Sequence, residues 1–374
     1  MKLDYEVIIL GAGVIGLAVA QSLAERNLDS VLIIEKDDSF GRGISGRNSE
    51  VIHSGIYYPR DSLKTQFCIR GRNLLYAYCK KHSIFHKECG KIIIAQKNQE
   101  NDLSILYELG QSKNMDDLEL LSKKEISKLE PDIDGALGLF VGSTGIVDSH
   151  GLMNAFYQSA LEKGHDFLFK SNVLNCEQVE QGFRITAQTP SPKLENVTSK
   201  WVVNATGLNS DIISNMIIPD DQTPKLKYSK GYYFSLSSRW RNRFSHLVYP
   251  LPDKYHKSLG VHLSFDQTGS VKLGPDAHYL DENVENYQVD SSLSPVFYKE
   301  ASKYITDLVP EDLTPDFSGI RPKIKTDEPM FTDFYLSHEE KLGYPGWVNC
   351  IGIDSPGLTS ALAIGKKVTD WILL

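Results

Sequence analysis

The chain has few cysteines, no long apolar run and a shortage of positive charge, and each lack closes off a class of protein. Of its 374 residues only Cys68, Cys79, Cys89, Cys176 and Cys350 are cysteines. Their number is odd and no two stand at C-x-x-C spacing. That argues against a structural zinc site and against a complete disulfide set, and it points to a reducing, cytoplasmic compartment. No window reaches the roughly 18–20 apolar residues that span a bilayer. The first apolar run, Val7 to Leu10, is only a strand long and follows Asp4 and Glu6, so it reads as a strand and not as a secretory leader. Surface loops need no spanning segment, which leaves open a peripheral contact with the inner face of a membrane. Lysine and arginine number 40 against 48 aspartates and glutamates, a net charge of −8 that disfavours a nucleic-acid binder. A hydrophobic content of 41% with 24% charged residues, and no repeat, is incompatible with a disordered or fibrous chain. The length exceeds what one core usually supports, so two domains are expected.

What is present begins at residue 5. Tyr5 to Leu10 is a β-branched run. It is followed by Gly11-Ala-Gly-Val-Ile-Gly16, by a stretch of helical periodicity from Leu17, and by a second strand from Ser30 that ends at Glu35. This is G-x-G-x-x-G inside a complete βαβ context, with an acidic residue after the second strand. Gly11 permits the tight turn, Gly13 lets a pyrophosphate approach the backbone, and Gly16 allows the helix to pack on the strand. The helix N-terminus offers free N–H groups and a partial positive charge to phosphates. Glu35 can accept from two ribose hydroxyls, and its charge repels a 2′-phosphate, which disfavours NADP. An NAD protein would continue with further βα units. Here Phe40-Gly-Arg-Gly-Ile-Ser-Gly-Arg-Asn-Ser49 follows instead, and its glycines and hydroxyls suit a bulky, flat, phosphorylated ligand. FAD is the natural candidate.

Further on, residues 62–82 have helical spacing that places Cys68 and Cys79 among the apolar positions, as packed thiols. Gly90 to Ala95 reads as a strand. Residues 98–130 read as two short helices. At 145–151 a turn leads into a helix capped by Asp148 or Ser149. Residues 173–180 and 182–187 read as paired strands, and Trp201 to Thr206 as a buried strand ending in a Thr-Gly turn. Residues 226–275 carry several strands with turn signals, an antiparallel pattern. Trp347 onward is again a strand, a Gly/Pro turn and a helix. Dinucleotide-type turns thus occur at both ends and in the middle. The expected fold is α/β plus α+β: a Rossmann-like, glutathione-reductase-type FAD domain from 1–84, 145–220 and 321–374, and an antiparallel-sheet substrate or cap domain from 85–144 and 221–320.

Several ordered segments carry a family resemblance. They are Gly46-Arg-Asn-Ser-Glu-Val-Ile-His-Ser-Gly-Ile-Tyr-Tyr-Pro59, Gly145-Ile-Val-Asp-Ser-His150, Lys230-Gly-Tyr-Tyr-Phe234, Tyr249-Pro-Leu-Pro252, Gly260-Val-His-Leu263, Gly319-Ile-Arg-Pro-Lys323 and Ile351-Gly-Ile-Asp-Ser-Pro-Gly-Leu-Thr359. With them the chain resembles the FAD-dependent oxidoreductases of the D-amino-acid-oxidase superfamily, and within these it is most similar to L-2-hydroxyglutarate dehydrogenases/oxidases. Arg47 departs from the pattern, in which many members carry histidine. The resemblance implies oxidation of L-2-hydroxyglutarate to 2-oxoglutarate with hydride transfer to flavin N5, the electrons leaving to a quinone, another acceptor or oxygen. Two other readings stay open: an amine oxidase of the glycine, sarcosine or D-amino-acid type, and a flavin-binding protein without turnover.

The chemistry requires carboxylate binding, a base beside the hydroxyl and a fixed position for the α-C–H bond. Arg321 is the first choice for a substrate carboxylate, because guanidinium grips carboxylate as a fork. Lys230, Tyr249 and Tyr57 are further substrate candidates. His53 is the first candidate base, with His262 second, since imidazole titrates close to neutral pH. His150 is expected to order a helix start. Cofactor contacts are expected at Gly11, Gly13, Ile15, Gly16, Glu35, Lys36, Ser45, Arg47, Asn48, Ser49, Val173, Thr206, Gly207, Pro356, Gly357, Leu358 and Thr359. FAD is expected to be non-covalent, and no metal site is expected. The partners implied are a small dicarboxylate and an electron acceptor.

Overall fold

A computed structural model of the chain describes residues 2–251, 260–281, 285–326 and 331–374. Strand β1 (Tyr5–Leu10) pairs in parallel with β2 (Val31–Ile34), Val7 opposite Val31, and helix α1 (Val14–Glu25) is the crossover between them. All of β2 and the last four residues of β1 are buried, as expected of strands covered on both faces. The strand Leu194–Asn204 lies on the other side of β1, also parallel, with Ile9 opposite Val203. It carries Trp347–Ile351 in parallel beyond it. Asp166–Leu168 flanks β2, and the hairpin Asn172–Val179 with Gly182–Gln188 and the strand Tyr335–His338 complete an eight-stranded sheet. Its strands come from separate stretches of the sequence, and the C-terminal helix Gly357–Leu373 packs on the same layer as α1.

The second sheet has nine strands. Leu226–Leu236 and Leu313–Ile324 run antiparallel along their whole lengths, Gly231 opposite Gly319 and Ser229 opposite Arg321. One pairing in this mainly antiparallel sheet is parallel: Leu247–Pro250 lies beside Lys91–Ala95, with Leu247 opposite Lys91. A small three-stranded sheet of Val51–Ile52, His86–Lys87 and Gly145–Val147 stands between the two large ones. Each large sheet has its own core, one around α1 and the C-terminal helix, the other around Trp240, Phe297 and Tyr304.

One sequence reading changes. Within 98–130 the helices Glu100–Gln111 and Lys123–Leu129 are present, but Leu118–Ser122 between them is a strand. Its leucines satisfied a helical count, yet the segment pairs residue by residue with Leu137–Val141, and tertiary pairing overrides local propensity. The domain limit expected at residue 321 falls inside Leu313–Ile324, a continuous strand held by its partner on both sides of Arg321. Within the strand-rich stretch, Pro252 of the Tyr-Pro-Leu-Pro segment, together with Ser258 and Leu259, lies outside the described residues. Asp148, one of the two expected caps, does cap its helix: its Oδ1 accepts from the Gly151 N–H at 2.8 Å.

Candidate active site

One cleft runs along the C-terminal end of β1 and β2 and on between the two large sheets. It encloses roughly 2000 Å³, part of it open to solvent. Its lining runs from the βαβ turn at Gly11 and Gly13 to His262 and Arg321, so the dinucleotide-type turn and the candidate substrate residues share one continuous cleft.

The cofactor end is built by the βαβ turn. Gly11 has φ +98°, and a Cβ there would meet the Ala205 carbonyl oxygen at 2.6 Å. A Cβ on Gly16 would meet the Gly11 oxygen at 2.0 Å, so this glycine lets the helix close on the turn. Gly13 is the N-cap of α1, has no capping side chain, and no acidic residue occupies the first turn. Ser45 Oγ accepts from the Val14 N–H at 2.9 Å and so brings the Gly- and Arg-rich loop against this helix end. Glu35 stands at the end of β2 with Oε2 accepting from Ala12 N at 2.7 Å and Oε1 from Asp37 N at 2.9 Å. Burial raises its pKa while these two bonds oppose the rise. At the far end the 17-residue helix Gly357–Leu373 likewise opens with no side-chain cap and no acid in its first turn. Two helix N-termini therefore point positive partial charge at one cleft. Arg47 adds an unpaired donor. Its Nε is buried with no partner among the described residues, and its guanidinium lies 4.0 Å from the centre of the Tyr287 ring. These features fit a flavin dinucleotide: an anion cradle at α1, a carboxylate for a ribose, and a second helix end beside the far wall.

The substrate end gathers His53, Tyr249, His262 and Arg321 on the same cleft. Arg321 is carried by the long strand, and the glycines Gly231 and Gly319 keep the neighbouring backbone low. One nitrogen, Nη2, donates to the Asp276 carbonyl at 2.5 Å, and the rest of the fork makes no hydrogen bond to a described residue. Tyr249 and His262 are stacked, ring centres 3.6 Å apart and planes 10° apart. His53 is fixed through its backbone. Its N–H donates to Thr359 Oγ1 at 3.0 Å and its carbonyl accepts from Cys68 Sγ at 3.2 Å, while Nε2 stands 3.3 Å from Ser355 Oγ. Burial, and after it the charge of Lys91, hold the imidazole down to about 3. It is therefore neutral, and an acceptor, across the physiological range.

Most expected cofactor positions line the cleft: Gly11, Gly13, Ile15, Glu35, Lys36, Ser45, Arg47, Asn48, Ser49, Val173, Thr206, Gly207, Pro356, Gly357 and Leu358. Gly16 and Thr359 do not, since one is closed under the turn and the other is buried against His53 and Val51. Lys230 points away from the cleft. Strand alternation turns Gly231 and Tyr233 toward it and sends the Lys230 ammonium to the Gln288 carbonyl at 2.7 Å. Tyr57 is also off the wall, behind it, with its ring 4.4 Å from the Lys91 ammonium. His150 stacks on Phe40 at 5.3 Å at the start of its helix. Cys350 lies on the cleft wall with its thiol pushed up to about 12 by burial.

Sequence reasoning passed over two features. Asp354, inside a quoted segment, accepts from Lys64 Nζ at 2.6 Å and Lys323 Nζ at 3.0 Å, and so ties the loop before the C-terminal helix to α2 (Leu63–Lys81) and to the Arg321 strand. Lys91 opens an otherwise apolar strand and is buried. A charged residue heading such a run was the available signal.

Residues 6–371 match the model of the family described as FAD dependent oxidoreductase. The chain belongs to that family, and FAD is its cofactor. It is 36% identical to a protein named L-2-hydroxyglutarate dehydrogenase, mitochondrial, of Arabidopsis thaliana, across 98% of this chain and 83% of the relative. The fold matches that of L-alpha-glycerophosphate oxidase from Mycoplasma pneumoniae, solved with FAD bound, with a TM-score of 0.88 over 100% of this chain and 96% of the other at 24% identity. It also matches glycine oxidase from Geobacillus kaustophilus, TM-score 0.83, over 100% and 95% at 19% identity. At those identities both likenesses bear on fold alone.

Proposed function

We propose that this member of the FAD-dependent oxidoreductase family oxidises the CH–OH group of L-2-hydroxyglutarate to give 2-oxoglutarate. The observation that carries the reading is the convergence of Arg321, His53 and His262 on one cleft in a chain 36% identical, over nearly its whole length, to a protein of that name. FAD, when bound, supplies the acceptor for the hydride of the substrate α-carbon.

The chain's own residues perform the rest. Arg321 offers the unengaged part of its fork to a carboxylate. Its backbone is fixed by antiparallel pairing with Ser229, so the grip also orients the substrate. His53 receives the hydroxyl proton. Burial, and after it the charge of Lys91, keep its affinity for that proton low. A substrate carboxylate brought near by Arg321 raises that affinity, because negative charge favours the imidazolium. The stacked Tyr249 and His262 form a flat wall of the cleft at its substrate end. An amine substrate would need no hydroxyl base, so a neutral histidine facing the cleft favours the hydroxy acid over the amine reading.

The electrons leave to an acceptor, a quinone or oxygen. The reading places the protein in the cytoplasm, which the five unpaired, buried cysteines support. Among the described residues no helix is long and apolar enough to cross a membrane. The test is anaerobic mixing of the purified holoenzyme with L-2-hydroxyglutarate, the flavin absorbance being followed. Bleaching by this compound, and not by its D-enantiomer, glycine or sarcosine, is expected. Bleaching by an amine alone would overturn the proposal.

A further inference from the structure

Lys113 and Lys91 are two of the chain's buried lysines, and they differ in how they are satisfied. Lys113 Nζ donates to the carbonyl oxygens of Gly55 at 3.0 Å and Ile56 at 2.6 Å. Lys91, only 1% exposed, makes no hydrogen bond or ion pair with any described residue. Its ammonium rests 4.4 Å from the centre of the Tyr57 ring and 4.9 Å from that of Tyr249. Ring faces recover part of the cost of removing a cation from water, but a buried cation without an anion or acceptor stays expensive.

The titratable groups that face Lys91 are Tyr57, Tyr249, Cys68 and His53. None supplies a negative charge near neutral pH. Burial pushes the Cys68 thiol up to about 12 and raises both tyrosines, and His53 is neutral. So the chain offers Lys91 no counter-charge among its described residues, although Tyr249 and His53, its neighbours, line the cleft. Arg321, on another strand of the same nine-stranded sheet, is one fork, suited to one carboxylate. A 2-hydroxy dicarboxylate carries a second.

We propose that Lys91 is the specificity-determining charge for a dianionic substrate, supplying from behind Tyr249 the counter-charge to the carboxylate that Arg321 does not clasp. This rests on the hydroxy-dicarboxylate reading above and deepens it. Lys91 acts across a ring and tunes affinity, and its charge also lowers the proton affinity of His53. In a poorly screened interior a unit charge at this remove changes dianion affinity by about tenfold. Burial lowers Lys91 to about 7, so the charge is only partly present at neutral pH. An entering dianion favours the ammonium and draws a proton onto it, and kcat/KM for a dianion declines as pH rises through this range.

The experiment uses the FAD-loaded enzyme as wild type, Lys91→Met and Lys91→Arg. The first readouts are KM and kcat for L-2-hydroxyglutarate against pH. The second is inhibition by glutarate, a dianion, and by butyrate, a monoanion of the same character. In Lys91→Met, KM is expected to rise about tenfold, more than kcat changes through the relief of His53 from the Lys91 charge. The alkaline decline of kcat/KM disappears, and glutarate weakens while butyrate does not. Lys91→Arg keeps the affinity and moves the alkaline decline upward, since guanidinium does not lose its proton. Should Lys91→Met fail to hold flavin, Lys91→Gln is read by the same measures. Equal weakening of glutarate and butyrate, or an unchanged KM, overturns the inference while leaving the function intact. A wild-type enzyme that L-2-hydroxyglutarate does not reduce overturns the function, and the inference with it.

Discussion

Lys64 Nζ stands 2.6 Å from Asp354 Oδ1, both side chains about 5% exposed or less, and this contact fastens the first turn of α2 to the loop that precedes the C-terminal helix. Lys323 closes on the other carboxylate oxygen. The Lys64–Asp354 pair is thus buried beside the cleft wall that Asp354 and Ser355 form. Removing one member of a buried pair leaves the other uncompensated. Asp354→Asn is expected to lower stability by about 3–5 kcal/mol, read from denaturant midpoints. The two lysines hold the Asp354 carboxyl below its ordinary value, against the effect of burial. Its contribution is therefore complete above the unfolded carboxylate range and is lost as pH falls through the depressed folded value. A variant whose unfolding midpoint matches wild type at neutral pH would refute this.

Arg321→Ala removes the fork that faces the substrate. The loss in kcat/KM for L-2-hydroxyglutarate is expected to be about 10²–10³-fold, and Arg321→Lys should recover only part of it because an ammonium cannot grip a carboxylate in two places. Steady-state kinetics with an artificial acceptor checks this. Flavin content should stay at the wild-type level.

His53→Gln keeps the size and polarity of the side chain and removes the base. A fall in kcat of about 10²–10⁴-fold is expected, with KM changed little. Burial and Lys91 depress the imidazole to about 3, so kcat/KM of the wild type should hold steady through pH 6.5, where an ordinary histidine would already be half protonated. An acid decline centred near pH 6.5 in the wild type would argue that another group is the base.

Gly11→Ala places a methyl group 2.6 Å from the Ala205 oxygen at a residue with φ +98°. The turn must open and the N-terminus of α1 must shift. The variant is expected to purify largely without flavin, and titration with FAD should show affinity reduced by about 10²-fold or more, because the pyrophosphate cradle depends on that turn. Full flavin content would count against the placement of the phosphates at α1.

Non-covalent attachment is expected despite Cys350 on the cleft wall. Burial pushes its thiol up to about 12, so no thiolate is available there near neutral pH. Acid precipitation of the holoenzyme should leave all the flavin in the supernatant. Yellow precipitate would overturn the expectation.

The sequence alone determined those parts that local chemistry dictates. Gly11, Gly13 and Gly16 between two apolar runs, with Glu35 after the second, can form little else than a dinucleotide turn, because only glycine tolerates the approach that the Ala205 and Gly11 carbonyls make. The ordered segments from Gly46 to Thr359 carried the family and the pocket-facing His53, His262, Tyr249 and Arg321. Tertiary structure decided what depends on register and long-range pairing. Strand alternation turned Lys230 out of the cleft and Gly231 into it, a choice invisible until the pairing with Leu313–Ile324 is known. Pairing with Leu137–Val141 made a strand of the leucine-rich Leu118–Ser122. Asp354 found Lys64 across 290 residues of chain. Lys91 acquired its place behind Tyr249 from the parallel pairing of Lys91–Ala95 with Leu247–Pro250; a lysine heading an apolar run signals a buried charge, but the sequence around it does not say that the charge stands beside the cleft.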